Sequence, residues 1–512
     1  MGVLASDDRQ RWISYGLVAA ACLIYVFLRF TVDQDYWHPD EVIPVKIIEN
    51  ISQTGSWNTN FIEADLPEYF KYNQYNFSSY IIVSALTTKV VKPVFELLGF
   101  DVELLSILRC FSAVLHIAVI YFTFVLGRVL FGSNRVGIVA SWSVAAFPLL
   151  FQDSLYARAE SFVTLLSLIV IYVTAKLYKS PKSIGFFLVG GLTGLLIACK
   201  ITFLALLVLP GIVICRHWRE SPWVWIKWGC LGGSGVLVGF FAGAPYALIN
   251  GSQYLSGVMS LFSQYGSGHR PYGLADGSFW ERALYGWQYF EAIGAGLFLL
   301  MATIGWILCL KRNRYYNFFA VGLCFMLILY FSTKSVFFER NYSFTIPVLA
   351  SCASYAIFEI IVLFGKYRKM KMVVSCVLIV ATLFPLSSFL WKFNTQVLSG
   401  EHQRARKDMR AALESQYGTK IKNFVWLLTD SHYNQLKDQI AKDRGNCIYE
   451  VFGANDVYTD AYVKQAVKDL GMCLVSELPS PFEESGLPAS TLYTYHAAHY
   501  FYLRHEDPIA IE

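Results

Sequence analysis

Residues 33–41 read DQDYWHPDE, Asp33 through Glu41, and follow directly on the first apolar segment, residues 12–30. Four carboxylates, Asp33, Asp35, Asp40 and Glu41, and the imidazole of His38 fall where a membrane helix would meet lipid headgroups. Charge is costly at that depth unless it faces water or a partner cation. Pro39 fixes its own φ and biases His38 toward an extended backbone, so Asp40 and Glu41 are presented from a turn at the membrane surface. A catalytic carboxylate would be displayed in this way. The same residues also suit a helix start, with Pro39 and the acids stabilising the first turn of residues 42–51.

The surrounding chain has the composition of a polytopic membrane protein. Of its 512 residues 55% are hydrophobic, 16% aromatic and only 15% charged, and the mean hydropathy is +0.44. Apolar windows run roughly over 12–30, 106–127, 137–151, 159–177, 184–199, 201–215, 224–244, 287–310, 317–332, 343–364 and 372–391. They predict a polytopic α-helical membrane protein with about 11 TM helices. The first window ends in TVDQDYW without a small-residue cleavage site, so it is expected to stay as an uncleaved helix.

With the N-terminus inside, the basic clusters Arg128/Arg135, Lys176/Lys179/Lys182, Arg216/Arg219/Lys227, Lys311/Arg312/Arg314 and Lys366/Arg368/Lys369/Lys371 all land inside. The net charge of +5 sits in these topology signals, so no nucleic-acid partner is expected. The outer face then carries residues 31–105, 152–158, Lys200, 245–286, 333–342 and the tail from 392. In the first outer loop EVIPVKIIENI and SSYIIVSALTTKVVKPVFELL read as interfacial helices. Residues 1–391 form the expected transmembrane domain, and 392–512 a small C-terminal α/β domain outside. There the strand-like runs NFVWLL, CIYEVFG and MCLVSEL alternate with polar helical HYNQLKDQIAKD and DAYVKQAVKDL. Cys447 and Cys473 lie in that tail, where they either pair in an oxidising compartment or remain free thiols.

Several outer-face cations run against the topology bias and call for partners: Arg109, Arg158, Lys200, His269, Arg270, Lys334 and Arg340. Lys200 stands between GFFLVGGLTGLLIAC and ITFLALLVLP, where it serves a site or snorkels from a tight turn. Arg158 with Glu160, and Glu339 with Arg340, are also suited to local ion pairing, the preferred reading for Glu160. One acidic loop and several converging cations suit a substrate with a phosphate leaving group, which needs positive charge where negative charge develops and a carboxylate to take a proton. Tyr36, Trp37, Trp57, Tyr69 and Tyr72 either stack on sugar faces or form an interfacial belt. No cofactor is expected. A divalent cation has only His38, Asp40 and Glu41 as candidate ligands, and adjacent residues rarely converge on one ion. Walker-type and dinucleotide fingerprints are absent from the sequence.

HPDE after the first helix is followed by LPEYFKYNQYNFSSYII, LRCFSAVLHIAVIYFTFVLGRVLFG, FPLLFQDSLYARAES, GLTGLLIACKITFLALL, APYALIN, QYGSGHRPYG with GWQYF, and FFERNYSFTIP. In this order and spacing, over about residues 1–390, the chain resembles the polyprenyl-phosphate-sugar-dependent membrane glycosyltransferases of the type C fold. The likeness is nearest to the protein O-mannosyltransferase and lipid A aminoarabinose transferase branch. It implies a donor sugar on polyprenyl phosphate, a glycan, lipid or protein acceptor, and an active site on the outer face of a bacterial inner (plasma) membrane. It further implies that Asp40, beside Glu41, is the catalytic base. Arg158, Lys200 and Arg340 would receive the lipid phosphate, and His269 and Arg270 would lie in a loop closing over the donor. KYNQYNF stands where many members have a Pro-Pro or Tyr-Pro pair. The rival class is a lipid-linked sugar flippase or transporter, against which the clustering of charge on one face weighs.

Overall fold

The computed structural model describes residues 2–32, 39–60, 75–217, 221–267, 277–336, 338–363, 368–397, 401–424, 447–452, 472–479 and 499–504. Helix α1 (Gly2–Phe30) leads toward a single 3-10 turn, Pro39–Glu41, that runs straight into α2 (Val42–Thr54). α2 buries Pro44, Ile47, Ile48 and Ile51, the stripe of an amphipathic helix, and stops at Gly55, whose φ of 72° suits glycine. α3 (Ser78–Leu97) is buried over its first turns, while Val90, Val94 and Leu97 are exposed. Then come α4 (Leu104–Phe131), α5 (Asn134–Ala145), α6 (Pro148–Leu155), α7 (Glu160–Lys179), α8 (Ser183–Cys199), α9 (Val208–Arg216) and α10 (Pro222–Gly243). Beyond α11 (Pro245–Ile249) and α12 (Gly251–Ser267) lie α13 (Phe279–Ala292), α14 (Gly296–Lys311), α15 (Tyr315–Ser332), α16 (Ile346–Leu363) and α17 (Arg368–Lys392).

The protein is a multi-pass integral membrane protein. Among the described residues seven helices are long and apolar enough to cross a membrane, or up to nine if each of two bent pairs is one span. That is fewer than the about eleven spans expected from window length, although every apolar window falls on helix. Windows 137–151 and 287–310 are the pairs α5/α6 and α13/α14, bent by 58° and 112°. Pro148 opens α6, and Gly294, at φ 75°, separates α13 from α14. Windows 184–199 and 201–215 are the shorter apolar helices Ser183–Cys199 and Ile201–Arg216. Neither α2 nor α3 is among the candidate spans.

α16 lies at the centre, packed on α4, α5 and α14. α8 and α10 touch backbone to backbone. A Cβ on Gly239 would stand 1.9 Å from the Gly191 carbonyl oxygen, and one on Gly190 would stand 2.1 Å from that of Gly232. Small residues at such a crossing are the usual way membrane helices approach closely. Arg128, Lys179, Arg216 and Lys311 fall in the last turns of α4, α7, α9 and α14, and α4 and α7 run away from the turn Pro39–Glu41 from starts beside it.

In the tail, α18 (Glu401–Tyr417) precedes β1 (Ile421–Phe424), β2 (Cys447–Phe452), β3 (Cys473–Leu478) and β4 (His499–Arg504). The sheet order is β1-β2-β4-β3, with β1 and β2 parallel and the other pairs antiparallel. Met409 and Leu413 of α18 pack on Ile421, Ile448, Phe501 and Leu503. Fully buried Glu450 receives Arg406 Nε at 2.6 Å and is also paired with Arg410. CIYEVFG and MCLVSEL are β2 and β3 as expected, but β1 begins at Ile421, before NFVWLL. β4 and α18 were not expected. Residues 432–443 and 460–470 lie outside the described residues. Cys447 and Cys473 are both free thiols, on strands separated by β4.

Gly239→Ala should lower the unfolding free energy of the detergent-solubilised protein by about 1–3 kcal/mol, the usual result of overpacking. Gly233→Ala, whose added Cβ meets nothing within 4 Å, should leave the melting temperature nearly unchanged.

Candidate active site

The turn Pro39–Glu41 sends its two acids to different partners. Glu41, 1% exposed, is gripped by Arg109 of α4: Nε donates to Oε1 at 2.8 Å and Nη2 to Oε2 at 2.7 Å. The Ala157 backbone N–H donates to the same Oε1 at 2.7 Å. Bidentate, charge-assisted bonds of this kind fix orientation as well as distance. From α1, Arg29 adds bonds to the carbonyls of Ser154 at 3.1 Å and Arg109 at 3.2 Å, so α1, α4 and the end of α6 are tied around the turn. Glu41 was expected beside Asp40 in catalysis; in the structure both its oxygens are engaged, and it is not among the residues that line the cavity described below.

Asp40 faces the other way. Arg340 Nη1 donates to its Oδ2 at 3.0 Å, and Arg158 Nη2 lies 3.8 Å from the same oxygen. Arg158 comes from the bend between α6 and α7, and its Nη2 also reaches Glu160 Oε1 at 3.2 Å. That oxygen takes a further bond from Lys200 Nζ at 3.1 Å. The local pair Arg158/Glu160 therefore forms as expected, and Lys200, rather than snorkelling freely, completes a chain Arg340, Asp40, Arg158, Glu160, Lys200. Glu160 is 1% exposed, and burial at that level is tolerable for a carboxylate only with paired cations.

Local structure sets each cation. Lys200 is the residue at which α8 stops, extended at φ −145°, before the 3-10 stretch Ile201–Leu207. Its ammonium sits 5.2 Å from the centre of the Phe77 ring. Arg340 lies in the 3-10 stretch Glu339–Thr345 before α16, with its guanidinium 4.5 Å from the Phe338 ring centre. The Ser343 hydroxyl of that stretch donates to buried Asp153 of α6, which anchors it.

Asp40, Lys200 and Arg340 line one cavity of about 170 Å³. Its other polar walls are Asn76, Thr202, Tyr265, Tyr330 and Asn341, and its apolar walls include Ile43, Ile201, Leu261, Phe262, Phe331 and Phe338. Asn341 Nδ2 donates to the Tyr265 hydroxyl at 3.1 Å. Arg109, Arg158 and Glu160 stand behind the lining residues rather than among them. His269 and Arg270, expected over the donor, lie outside the described residues, as do His38, Asp33, Asp35, Tyr36, Trp37, Tyr69 and Tyr72. Lys334 turns to the Tyr330 ring, 4.1 Å from its centre. Trp57 lies under the Lys89 ammonium at 4.6 Å. Sequence reasoning singled out none of Asn76, Tyr265, Asn341 and Asp153, although all four lie inside the runs that carry the resemblance.

ArnT from Cupriavidus metallidurans, bound to undecaprenyl phosphate, matches with a TM-score of 0.53 at 13% identity, over 98% of this chain and 99% of that one. The chain is folded like ArnT. Apo ArnT agrees, with a TM-score of 0.52 at 12% identity over 96% of this chain and 98% of ArnT. The ArnT-like fold thus extends past residue 390, where the sequence resemblance ended, into the C-terminal sheet. Archaeal oligosaccharyltransferase AglB from Archaeoglobus fulgidus, in complex with an inhibitory peptide and a dolichol-phosphate, gives a TM-score of 0.48 at 13% identity over 75% of this chain. It is covered over only 56% of its own length, so the chain spans little more than half of AglB. No family model and no curated protein matches the sequence.

Glu41→Gln should destabilise the protein by about 3–5 kcal/mol, because it strands a guanidinium that is largely buried. Arg312→Ala, which removes a surface pair with Glu359, should cost less than about 1 kcal/mol. Thermal unfolding in detergent distinguishes the two.

Proposed function

We propose that the chain is a glycosyltransferase that moves a sugar from a polyprenyl-phosphate donor to an acceptor hydroxyl of a glycan, lipid or protein, on the outer face of a bacterial plasma membrane. The observation that carries this is the cavity in which Asp40 meets Lys200 and Arg340, groups from three distant parts of the chain. The basic last turns of α4 and α7, which run away from the turn Pro39–Glu41, support an outward-facing site. ArnT, the protein this chain is folded like, was captured with undecaprenyl phosphate.

In this reading the acceptor hydroxyl gives its proton to Asp40 as its oxygen attacks the anomeric carbon. The bond from that carbon to the phosphate oxygen breaks on the opposite side, so the configuration inverts. The bonding electrons stay on the lipid phosphate, which goes from one negative charge toward about two. Lys200 and Arg340 stabilise that added charge. The step is charge-neutral across the cavity, because Asp40 loses its charge as the phosphate gains one. Arg340, bound to Asp40 beforehand, is then released toward the phosphate. Arg158 sits behind Asp40 and keeps it in place, and the apolar wall of Leu261, Phe262, Phe331 and Phe338 takes the first part of the polyprenyl tail. Glu41 positions the turn and does not react.

Asp40→Asn should cut turnover by about 10²–10⁴, the usual contribution of a positioned base, while expression and lipid binding persist. Lys200→Ala and Arg340→Ala should raise KM for the donor more than for the acceptor. Transfer of radiolabelled sugar from polyprenyl phosphate into membrane acceptors checks all three. Retained turnover in Asp40→Asn removes that residue from the role, and labelled donor crossing the bilayer unchanged makes the protein a flippase.

A further inference from the structure

Lys200 does not stand alone on its wall of the cavity. Ile201 and Thr202, which follow it in the chain, line the same space. Thr202 is partly buried and belongs to the 3-10 stretch Ile201–Leu207. Several threonines inside the helices give their hydroxyl to the carbonyl four residues back: Thr87 at 2.9 Å, Thr123 at 2.7 Å, Thr193 at 2.8 Å and Thr303 at 2.9 Å. Thr202 has no such carbonyl. The residue four back is Ala198 of α8, and the extended backbone at Lys200 breaks the helix between them. Among the described residues no group bonds the Thr202 hydroxyl.

The main chain that carries this hydroxyl is pinned. The Lys200 N–H donates to the Leu196 carbonyl at 2.8 Å, the Phe203 N–H to the Lys200 carbonyl at 3.1 Å, and the Phe77 N–H to the Cys199 carbonyl at 2.9 Å. A donor fixed in a cavity wall before the ligand arrives loses little freedom when it binds. Its neighbour indicates which group it meets. One N–H of the Lys200 ammonium is already committed to Glu160, which leaves two of its three for a ligand. We infer that Thr202 is a further donor-binding residue, its hydroxyl donating to a non-bridging oxygen of the lipid phosphate that Lys200 holds. This rests on the proposed transferase reading and extends its phosphate site by an uncharged residue. Thr202 and Lys200 share one short segment, whereas Asp40, which meets the attacking hydroxyl, comes from another element. A hydrogen bond to an anionic oxygen is also stronger than one to a neutral sugar hydroxyl, and it strengthens as the phosphate gains charge.

The test is binding of tritiated undecaprenyl phosphate, without a sugar, to the full-length protein in nanodiscs. Thr202→Val nearly keeps the side chain's shape and removes the hydroxyl, while Thr202→Ser keeps the hydroxyl. Thr202→Val should weaken binding about tenfold or more, and Thr202→Ser by no more than about threefold. In sugar transfer Thr202→Val should raise KM for the donor by a similar factor and leave KM for the acceptor unchanged. Neither variant should lower the melting temperature. Wild-type affinity of Thr202→Val for the bare lipid phosphate overturns the inference, whether or not the sugar-bearing donor binds more weakly. A loss in Thr202→Ser as deep as in Thr202→Val overturns it too, as does a lower melting temperature in Thr202→Val, which makes the hydroxyl part of the fold. Failure of the unmutated protein to bind undecaprenyl phosphate overturns the transferase reading and this inference with it.

Discussion

A carboxylate buried in an apolar bundle needs a cation against it, and for Glu41 and Glu160 this requirement governs the end of the protein that carries the cavity. Arg109 answers Glu41 from α4, while Arg158 and Lys200 answer Glu160 from the α6/α7 bend and the end of α8. Removing one partner from such a pair costs far more than the pair itself contributes, because the remaining charge is left in a medium that cannot solvate it. The ion pairs therefore act less as a source of stability than as a register. They decide which turns lie side by side, and Asp40 is delivered to the cavity because its neighbour Glu41 has been immobilised.

What the sequence made legible follows from this. Lys200 and Arg340 stood out because cations on the outer face oppose the topology bias, and Asp40 because Pro39 isolates it in a turn; these three residues line the cavity. Adjacency misled in one respect. Asp40 and Glu41 are consecutive, yet a 3-10 turn aims consecutive side chains in different directions, and only the fold says which one meets water. Asn76, Tyr265 and Asn341 carry no charge and follow no period; the runs KYNQYNF, QYGSGHRPYG and FFERNYSFTIP contain them, but only the fold turns them into one wall.

The helices were legible from hydropathy, the bends were not. Pro148 marks one bend, but the sharper one occurs at Gly294, where an added Cβ would lie 2.8 Å from Pro385 of α17. That contact joins residues far apart in sequence and cannot be read from a window. In the tail, β4 escaped because its run HYFYLR buries its apolar side through Phe501 and Leu503 amid tyrosines that resemble an interfacial belt. α18 is so polar that its place is set by Arg406 and Arg410 reaching Glu450 rather than by a broad apolar face.

The glycine contact of α8 with α10 bears on Lys200, although it lies away from the cavity. Where main chain rests on main chain, no rotamer can yield and no side chain can be trimmed to let one helix slide along the other. The depth at which α8 halts is thereby a constant of the scaffold. A ligand must travel to the ammonium that ends the helix; the ammonium, apart from the swing of its own stem, does not travel to the ligand.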